Sequence, residues 1–284
     1  MIQNYEFLKY GNLNYSVIGI TPKIQEISCT FNNFNNVSKL YLSNYSLHTE
    51  YSASPIKNPY LQNYPSLFNS TFNGKASLWT SNNWVKEFFD LIDQKIQQIG
   101  KAPTIIEIHP PYKKHVKIND FFNRYTIFEN IVLKKYPDVM ILIENRNCCG
   151  NFLLSRANDY IDFANQINDR KLNLKLIIDI PQLFGKELFL NKNNNVQNTI
   201  DNVFYTLSTR IVADNICGIH ICGKGHNGGF DSIFNKNIQN TQYFLNRFKA
   251  FSLLLTNKIY IVPEIFKQQD FVNIINDLKN NQIL

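Results

Sequence analysis

The fold of this chain is indicated most clearly by the stretch Ile141-Leu142-Ile143-Glu144-Asn145. It is a short, uninterrupted apolar run that ends on an acid. Such a run is typical of a parallel strand that is buried on both faces and delivers a carboxylate to the open end of its sheet. Other apolar runs along the chain end in the same way, each on His, Asp or Glu. We therefore predict that several strands present their last side chains to one common site.

Apolar runs alternate with stretches of helical periodicity along most of the chain, and this alternation predicts a parallel sheet wrapped by helices. Strands are predicted at 13–20, 38–43, 104–109, 138–145, 174–180, 216–222 and 258–264. Helices are predicted at 83–100, 119–135, 155–168, 203–212, 237–255 and 269–279, and the polar stretch 191–198 is predicted to be an insertion loop.

This rhythm is best explained by an α/β fold, a (β/α)8 TIM barrel that occupies residues 1–284 as one domain. A doubly wound open sheet is the alternative, but no GxGxxG or Walker sequence supports nucleotide binding there. The eighth strand is either short and near 229–234 or hidden in the segment 51–83. Pro55, Pro59 and Pro65 argue against regular structure in that segment. We expect a long loop at 51–83, and loops of this length often serve as lids or binding loops.

Composition and charge limit the class of protein. Apolar residues make up 44% of the 284 residues, which is enough for a sizeable core. The chain has no apolar run of membrane-spanning length and no visible signal peptide, so we expect no membrane partner and a cytoplasmic location. Its five cysteines are odd in number and never spaced as CxxC, which disfavours a disulfide framework and a zinc ribbon. The net charge of +7 indicates either an anionic partner such as nucleic acid or AT-rich codon usage, and both interpretations remain open.

Five predicted strand ends carry a side chain able to bind a metal ion. They are His109, Glu144, Asp179, His220 and Glu264. Successive spacings of 35, 35, 41 and 44 residues are each about one β/α unit, so in a barrel these side chains converge at the mouth. His48 fits as an earlier member of the set. Imidazoles and carboxylates suit Zn²⁺ or Mn²⁺, and three of each could hold about two divalent ions with one carboxylate bridging.

Short motifs in the same order resemble the xylose isomerase-like barrel superfamily, also called AP endonuclease family 2. They are Ile143-Glu144-Asn145, Ile178-Asp179, Ile219-His220 and Val262-Pro263-Glu264. Ile108-His109-Pro110 is more particularly similar to the endonuclease IV branch. The resemblance covers most of the chain from His48 onwards, and it implies a (β/α)8 barrel.

The resemblance also implies a set of ligands. A first ion would be held by His48, His109 and Glu144. A second ion would be held by Asp179, His220, Glu264 and the bridging Glu144. The family's third ion normally takes two His and one Asp, but the corresponding positions here are Gln182, Lys224 and His226. The third site is therefore expected to be lost.

Two activities follow from this resemblance. The first is endonuclease IV-like hydrolysis of a phosphodiester or phosphoester, with DNA or a phosphorylated small molecule as partner. In that activity Glu144 would orient the nucleophile, while Lys224 and His226 would help to neutralise the phosphate. The alternative is a sugar or sugar-phosphate isomerase or epimerase with one divalent metal, in which Glu144 and Glu264 would transfer protons.

Some side chains near these motifs allow two interpretations. Glu107 has the same strand parity as His109 and is either a spare ligand or, as we favour here, an interior acid paired with Lys or Arg. Arg146 either binds an anionic substrate or is a solvated surface residue. The aromatic residues of 51–83 could stack on nucleic acid, cover a small-molecule pocket or pack on the barrel rim.

Overall fold

A closed barrel of eight parallel strands forms the centre of the molecule, as seen in a computed structural model that describes residues 1–147, 151–193 and 195–284. In chain order the strands are β1 (Tyr5–Lys9), β2 (Ile24–Cys29), β3 (Asn44–Thr49), β4 (Ile105–Ile108), β5 (Met140–Glu144), β6 (Lys175–Asp179), β7 (Ile216–Ile221) and β8 (Ile259–Pro263). Consecutive strands are neighbours, and β1 closes the barrel by pairing in parallel with both β8 and β2. The predicted (β/α)8 fold is confirmed.

Helices connect the strands from β3 onwards and pack around the barrel. They are α1 (Asn82–Ile99), α2 (Ile118–Lys135), α3 (Ala157–Arg170), α4 (Ile180–Leu190), α5 (Val196–Leu207), α6 (Ile238–Ser252) and α7 (Gln268–Asn280). A short helix, Arg210–Ala213, precedes β7, and a 3-10 helix, Tyr15–Ile18, lies between β1 and β2. Among the described residues, no helix is long and apolar enough to cross a membrane.

Side chains of alternating polarity divide the barrel interior into two layers. Leu142 and Glu144 lie two residues apart on β5 and point to the same side, as do Ile105 and Glu107 on β4. The apolar layer toward the strand N-termini is a buried cluster of Leu8, Ile24, Ile105, Leu142, Ile177, Cys217, Tyr260 and Val262. Acids and imidazoles occupy the layer toward the strand C-termini. A TIM barrel carries its active site at that end, so the fold places these side chains where chemistry is expected.

A glycine is required where β7 passes closest to β6. The register of these strands shifts between Leu176 and Ile177, and Ile177 lies opposite Gly218. A Cβ atom on Gly218 would lie 2.7 Å from the Cγ1 atom of Ile177, which is closer than real Cβ contacts. The absence of a side chain at Gly218 therefore allows the two strands to pair.

The first three strands differ from the predictions. Residues 13–20 are not a strand, because Asn14 caps the 3-10 helix Tyr15–Ile18 and Gly19 ends it in a left-handed conformation. Residues 38–43 are a loop, and the strand begins only at Asn44. β1 and β2 were not predicted. Neither proposed place for the eighth strand is correct. A 3-10 helix lies at Phe230–Phe234, and the only paired strands described within 51–83 form a hairpin separate from the barrel. These strands carry polar residues that interrupt an apolar run, such as Glu26 and Ser28 on β2.

Two connecting segments are also more ordered than predicted. Residues 51–83 contain the 3-10 helix Pro59–Asn63, the helix Pro65–Asn69 and a hairpin of Thr71–Phe72 with Lys75–Ala76. Helix α4 was not predicted, although Asp179 accepts a hydrogen bond from the backbone N–H of Gln182 and so caps its first turn. The predicted insertion loop 191–198 already includes the start of α5.

The cysteines described in the structure are buried free thiols, namely Cys29, Cys217 and Cys222. Cys148, Cys149, Gly150 and Asn194 lie outside the described residues.

Candidate metal centre

Eight titratable side chains meet inside the barrel at the C-terminal ends of its strands. They are Glu26, His48, Glu107, His109, Glu144, Asp179, His220 and Glu264. None has a side chain more than 11% exposed. The structure thus brings together all six residues that the sequence identifies as candidate ligands, and it adds Glu26 and Glu107. That these side chains bind metal remains a prediction.

The first group of potential ligand atoms consists of His48, Glu107, His109 and Glu144. The imidazoles of His48 and His109 are stacked, with their Nε2 atoms 3.2 Å apart. Nε2 of His109 lies 2.8 Å from Oε2 of Glu144, and Nε2 of His48 lies 3.8 Å from the same oxygen. All four side chains therefore direct a nitrogen or oxygen atom at one small volume.

The second group consists of Glu144, Asp179 and His220, with Glu264 beside it. Nδ1 of His220 lies 3.8 Å from Oε2 of Glu144 and 3.5 Å from Oε1 of Glu264. Glu144 belongs to both groups, so its carboxylate lies between two adjacent sets of potential ligands. This is the arrangement expected of a carboxylate that bridges two ions.

Hydrogen bonds orient the two imidazoles of the first group. Nδ1 of His48 is 3.0 Å from Oε1 of Glu26, and Nδ1 of His109 is 3.2 Å from the backbone oxygen of Glu50. Each contact favours a proton on Nδ1 and leaves the Nε2 lone pair directed at the shared volume. Metal-binding histidines in proteins are commonly held by such a contact. Trp79 helps to hold His109 in place, because its Nε1–H donates to the backbone oxygen of His109 at 2.7 Å.

The electrostatics of the centre favour bound cations. Burial raises the pKa of Glu144 well above its usual range, and nearby Asp179 raises it further. Burial also raises the pKa of Asp179, with Glu264 as the next cause. For His48 burial opposes the charged form, yet the carboxylate of Glu107 and other nearby acids raise its pKa to about 9. Burial opposes ionisation of Glu107 and Glu264 as well, but nearby His220 lowers the pKa of Glu107 and lowers that of Glu264 to about 2. The acids thus need positive charge beside them, which divalent ions would supply in place of charged imidazoles.

Unsatisfied polar atoms provide an independent test of whether a metal fits. Among the described residues, both ring nitrogens of His220 are buried without a hydrogen-bond partner, as is Oε1 of Glu107. Buried polar groups in proteins are nearly always paired, so these atoms indicate a missing partner. The donors are imidazole nitrogens and carboxylate oxygens, which suit Zn²⁺ or Mn²⁺. The residues therefore fit a divalent metal centre.

Gln182, Lys224 and His226, which the resemblance aligns with a third ion site, lie in different surroundings. The side-chain amide of Gln182 donates to Oε1 of Glu144 at 2.9 Å and contacts Asp179, so it supports candidate ligands. Lys224 is exposed on the rim. His226 lies near the second group, with its Nδ1 3.5 Å from Oε2 of Glu264, and Cys222, His226 and Glu264 form a further cluster of potential ligand atoms. The catalytic roles predicted for Lys224 and His226 remain predictions.

The centre opens into a cavity of about 1220 Å³. Basic side chains line this cavity, namely Arg146, Lys186, Lys224 and His226. Arg146 is buried, with its guanidinium 4.9 Å from the ring centre of Tyr51 and its Nη1 atom 4.0 Å from Oε1 of Glu144. The interpretation of Arg146 as a solvated surface residue is therefore wrong, and its position fits contact with an anionic group in the cavity.

Most aromatic residues of segment 51–83 pack against the barrel. The ring of Phe72 contacts Tyr112, the ring of Tyr64 contacts Phe34, and Trp79 is 1% exposed. These contacts favour the packing interpretation over stacking on nucleic acid.

Sequence reasoning missed Glu26 because it missed β2. A usable signal was present, since Ile24 precedes Glu26 by two residues just as Ile105 precedes Glu107 and Leu142 precedes Glu144. Glu107 was considered, but the favoured pairing with Lys or Arg is not what the structure shows. The ion pairs described for Glu107 are with His48 and His220.

The fold and the site define a class, the (β/α)8 barrel with clustered acids and imidazoles at the C-terminal mouth. No protein-family model matches the sequence, and no curated protein matches it either. Among solved structures, that of AsfvAP:AG is 12% identical with a TM-score of 0.53, over 94% of this chain and 88% of the other. This likeness shows the fold, a (β/α)8 barrel.

Weaker likenesses include a D-tagatose 3-epimerase-like protein, 14% identical over 99% of this chain and 97% of the other, with a TM-score of 0.49. They also include an AP endonuclease of family 2 from Brucella melitensis, 6% identical over 92% of this chain and 99% of the other, with a TM-score of 0.47. The function of this chain must therefore be argued from its own residues.

Proposed function

We propose that this chain is a metal-dependent enzyme that hydrolyses a phosphodiester or phosphoester at a centre of two divalent ions, in the manner of endonuclease IV. The observation that carries the proposal is the shared position of Glu144. Its Oε2 atom lies 2.8 Å from Nε2 of His109 in the first group and 3.8 Å from Nδ1 of His220 in the second. A centre with a single ion does not require the first group.

The residues around the centre suit an anionic substrate. When bound, two divalent ions would activate a water molecule and neutralise charge on a phosphate. Glu144 would orient the attacking water, and its burial at 1% exposure excludes bulk solvent. Arg146 and Lys224, which line the cavity, would position the phosphate by charge. The net charge of +7 agrees with a substrate such as DNA or a phosphorylated small molecule.

A second candidate function is a sugar or sugar-phosphate isomerase or epimerase that uses one ion. It is favoured by the position of two carboxylates beside the same imidazole. Oε2 of Glu144 and Oε1 of Glu264 lie 3.8 and 3.5 Å from Nδ1 of His220. Two carboxylates placed near one ion could remove and return a proton at a carbon next to a carbonyl group.

A comparison of two variants distinguishes these functions. We would incubate Zn²⁺- or Mn²⁺-loaded protein with duplex DNA that contains an abasic site, with simple phosphodiesters, and with a panel of ketoses and their phosphates. His109→Ala removes a ligand of the first group only and should abolish hydrolysis. His115→Ala is the matched control, because His115 contacts Ser77 away from the centre and should behave as wild type.

The proposal fails if no phosphoester is cleaved while a sugar is epimerised, and if His109→Ala leaves that epimerisation intact. That pair of results would favour the second candidate. Cleavage by wild type that disappears in His109→Ala supports the two-ion hydrolase.

A further inference from the structure

Glu107 occupies an unusual position for a buried acid. It lies on β4, is 1% exposed, and its Oε1 atom has no hydrogen-bond partner in the part of the chain that the structure describes. Oε1 is 3.5 Å from Nε2 of His48, and Oε2 is 3.3 Å from Nε2 of His220. The carboxylate thus stands between the imidazoles of the two ligand groups. Its two oxygens each face an imidazole of a different group, so the carboxylate is placed to act as a ligand.

The four potential ligand atoms of the first group lie within 4.8 Å of one another, close enough to share one ion. Zinc bonds to nitrogen and oxygen ligands at about 2.0–2.2 Å, which places neighbouring ligand atoms roughly 3.3–3.6 Å apart. The separations in the first group are 3.2 Å between the two Nε2 atoms, 3.5 Å between His48 and Glu107, 3.8 Å between His48 and Glu144, and 2.8 Å between His109 and Glu144. These four values scatter around the expected separation.

We infer that Glu107 is a fourth protein ligand that closes the first ion site. The resemblance to known barrels implies only three ligands there, His48, His109 and Glu144. This inference rests on the proposed metal centre and deepens it. Four protein ligands leave no position for water, which is the pattern of structural zinc sites, whereas catalytic sites keep a position open. The second ion would therefore be the one that activates water, and the first would contribute its charge near the phosphate.

Glu107 has a second effect on the centre through its other oxygen. Contact of Oε2 with Nε2 of His220 favours a proton on that nitrogen. The lone pair of Nδ1 is then directed toward Glu144 and Glu264, where the second group lies. One carboxylate would thus complete the first site and orient a ligand of the second.

The charge balance agrees with this assignment. In the first site the imidazoles would be neutral. The two negative charges of Glu107 and Glu144 would then balance the two positive charges of one divalent ion. The second site would share Glu144 and use Asp179, His220 and Glu264. The first ion should consequently be held more tightly and exchange more slowly than the second.

Metal binding by Glu107→Gln tests the inference, with Glu129→Gln as the matched control. Glu129 is a buried acid 6% exposed that accepts a hydrogen bond from Tyr125 on α2, away from the centre. Zn²⁺-loaded full-length protein would be dialysed against a graded series of chelator concentrations, and bound metal would be measured by mass spectrometry. Co²⁺-loaded samples would be examined for the intense visible absorption of four-coordinate Co²⁺.

Wild type and Glu129→Gln should retain one tightly held ion and one exchangeable ion, and the tight site should give the four-coordinate spectrum. Glu107→Gln should lose the tight ion, with affinity reduced more than about 100-fold, beyond what an outer partner of a ligand contributes. Metal-free Glu107→Gln should still unfold in one cooperative transition, which would show that loss of the tight ion does not result from an unfolded chain.

Each other outcome has a definite meaning. If Glu107→Gln binds both ions as wild type does and keeps the Co²⁺ spectrum, the inference is overturned and the two-ion proposal stands. If wild type binds one ion that Glu107→Gln removes, the inference stands and the two-ion hydrolase fails. If wild type binds no divalent ion, both fail.

Discussion

Glu144 connects the two ligand groups, so its charge matters more than that of any other residue in the centre. Glu144→Gln keeps the size of the side chain but removes the negative charge on the shared carboxylate. We expect it to weaken ion binding in both groups and to lower the rate of phosphoester cleavage by at least about 10²–10³-fold, the usual cost of losing one electrostatic stabiliser. The cleavage rate at saturating metal measures this. An unchanged rate would contradict the role of Glu144.

Glu26 contacts the imidazole of His48, which is one of the candidate ligands of the first group. Its Oε1 lies 3.0 Å from Nδ1 of His48, and we expect this contact to keep the imidazole in the orientation that binds an ion. Glu26→Gln should therefore lower affinity in the first group by about 10–100-fold without removing a ligand. Competition with a chromogenic Zn²⁺ chelator measures the affinity. Glu187→Gln, a buried acid on α4, should leave it unchanged.

The sequence was most informative about residues at the ends of apolar strands. His109, Glu144, Asp179, His220 and Glu264 could be recognised because each follows such a run, and the structure brings them together. Glu26 could not be recognised in this way, because polar residues interrupt its strand. The contact of Glu107 with two imidazoles depends on how the strands are aligned with one another, and residue spacing along the chain does not specify that alignment.

At the level of elements, the pairing of β6 with β7 depends on Gly218. A methyl group there would lie 2.7 Å from Ile177, so the strands must move apart or the Ile177 side chain must change rotamer. We expect Gly218→Ala to lower the free energy of unfolding by about 1–3 kcal/mol, the typical cost of overpacking. Denaturant titration measures the change.

Gly185→Ala is a suitable control for this effect. Gly185 lies in α4, and a Cβ atom there would be 3.4 Å from the side chain of Asn147, which is about an ordinary contact. Because alanine favours a helix by about 1 kcal/mol over glycine, this variant should be as stable as wild type or more stable. Equal destabilisation by both substitutions would show that the Gly218 site is not specially crowded.

Elements β4 to β8 were predictable because strands buried on both faces are continuous in apolar residues. Strands β1 to β3 were not, since they alternate with polar residues or lie beside turns. The N-terminal Tyr5–Lys9 strand includes Glu6 and Lys9, and its place in the sheet depends on pairing with β8 at the other end of the chain. Helix α4 follows β6 without a loop, and its start signals, the N-cap Asp179 and Pro181 in the first turn, lie within the end of the strand pattern.

For the whole molecule, we expect the buried acids to make stability depend on bound metal. Five carboxylates in one barrel interior repel one another when ionised, and divalent ions would remove that repulsion. An ion that binds only the folded chain stabilises it by about 4 kcal/mol at a concentration a thousandfold above its dissociation constant. We expect added Zn²⁺ to raise the unfolding temperature of chelator-treated protein by several degrees.

Differential scanning calorimetry measures this shift, and Glu144→Gln provides the control because it should reduce the shift strongly. An equal shift in both proteins would place the stabilising ion elsewhere. No shift in wild type would show that the centre does not bind the ion under those conditions.

Anomalous diffraction from crystals grown with Zn²⁺ would show whether two ions share the Glu144 carboxylate. We predict two peaks in the anomalous difference map, both within bonding distance of the Glu144 carboxylate. One should lie among His48, Glu107 and His109, and the other should lie beside Asp179 and His220. A single peak, or two peaks of which only one contacts Glu144, would contradict the claim.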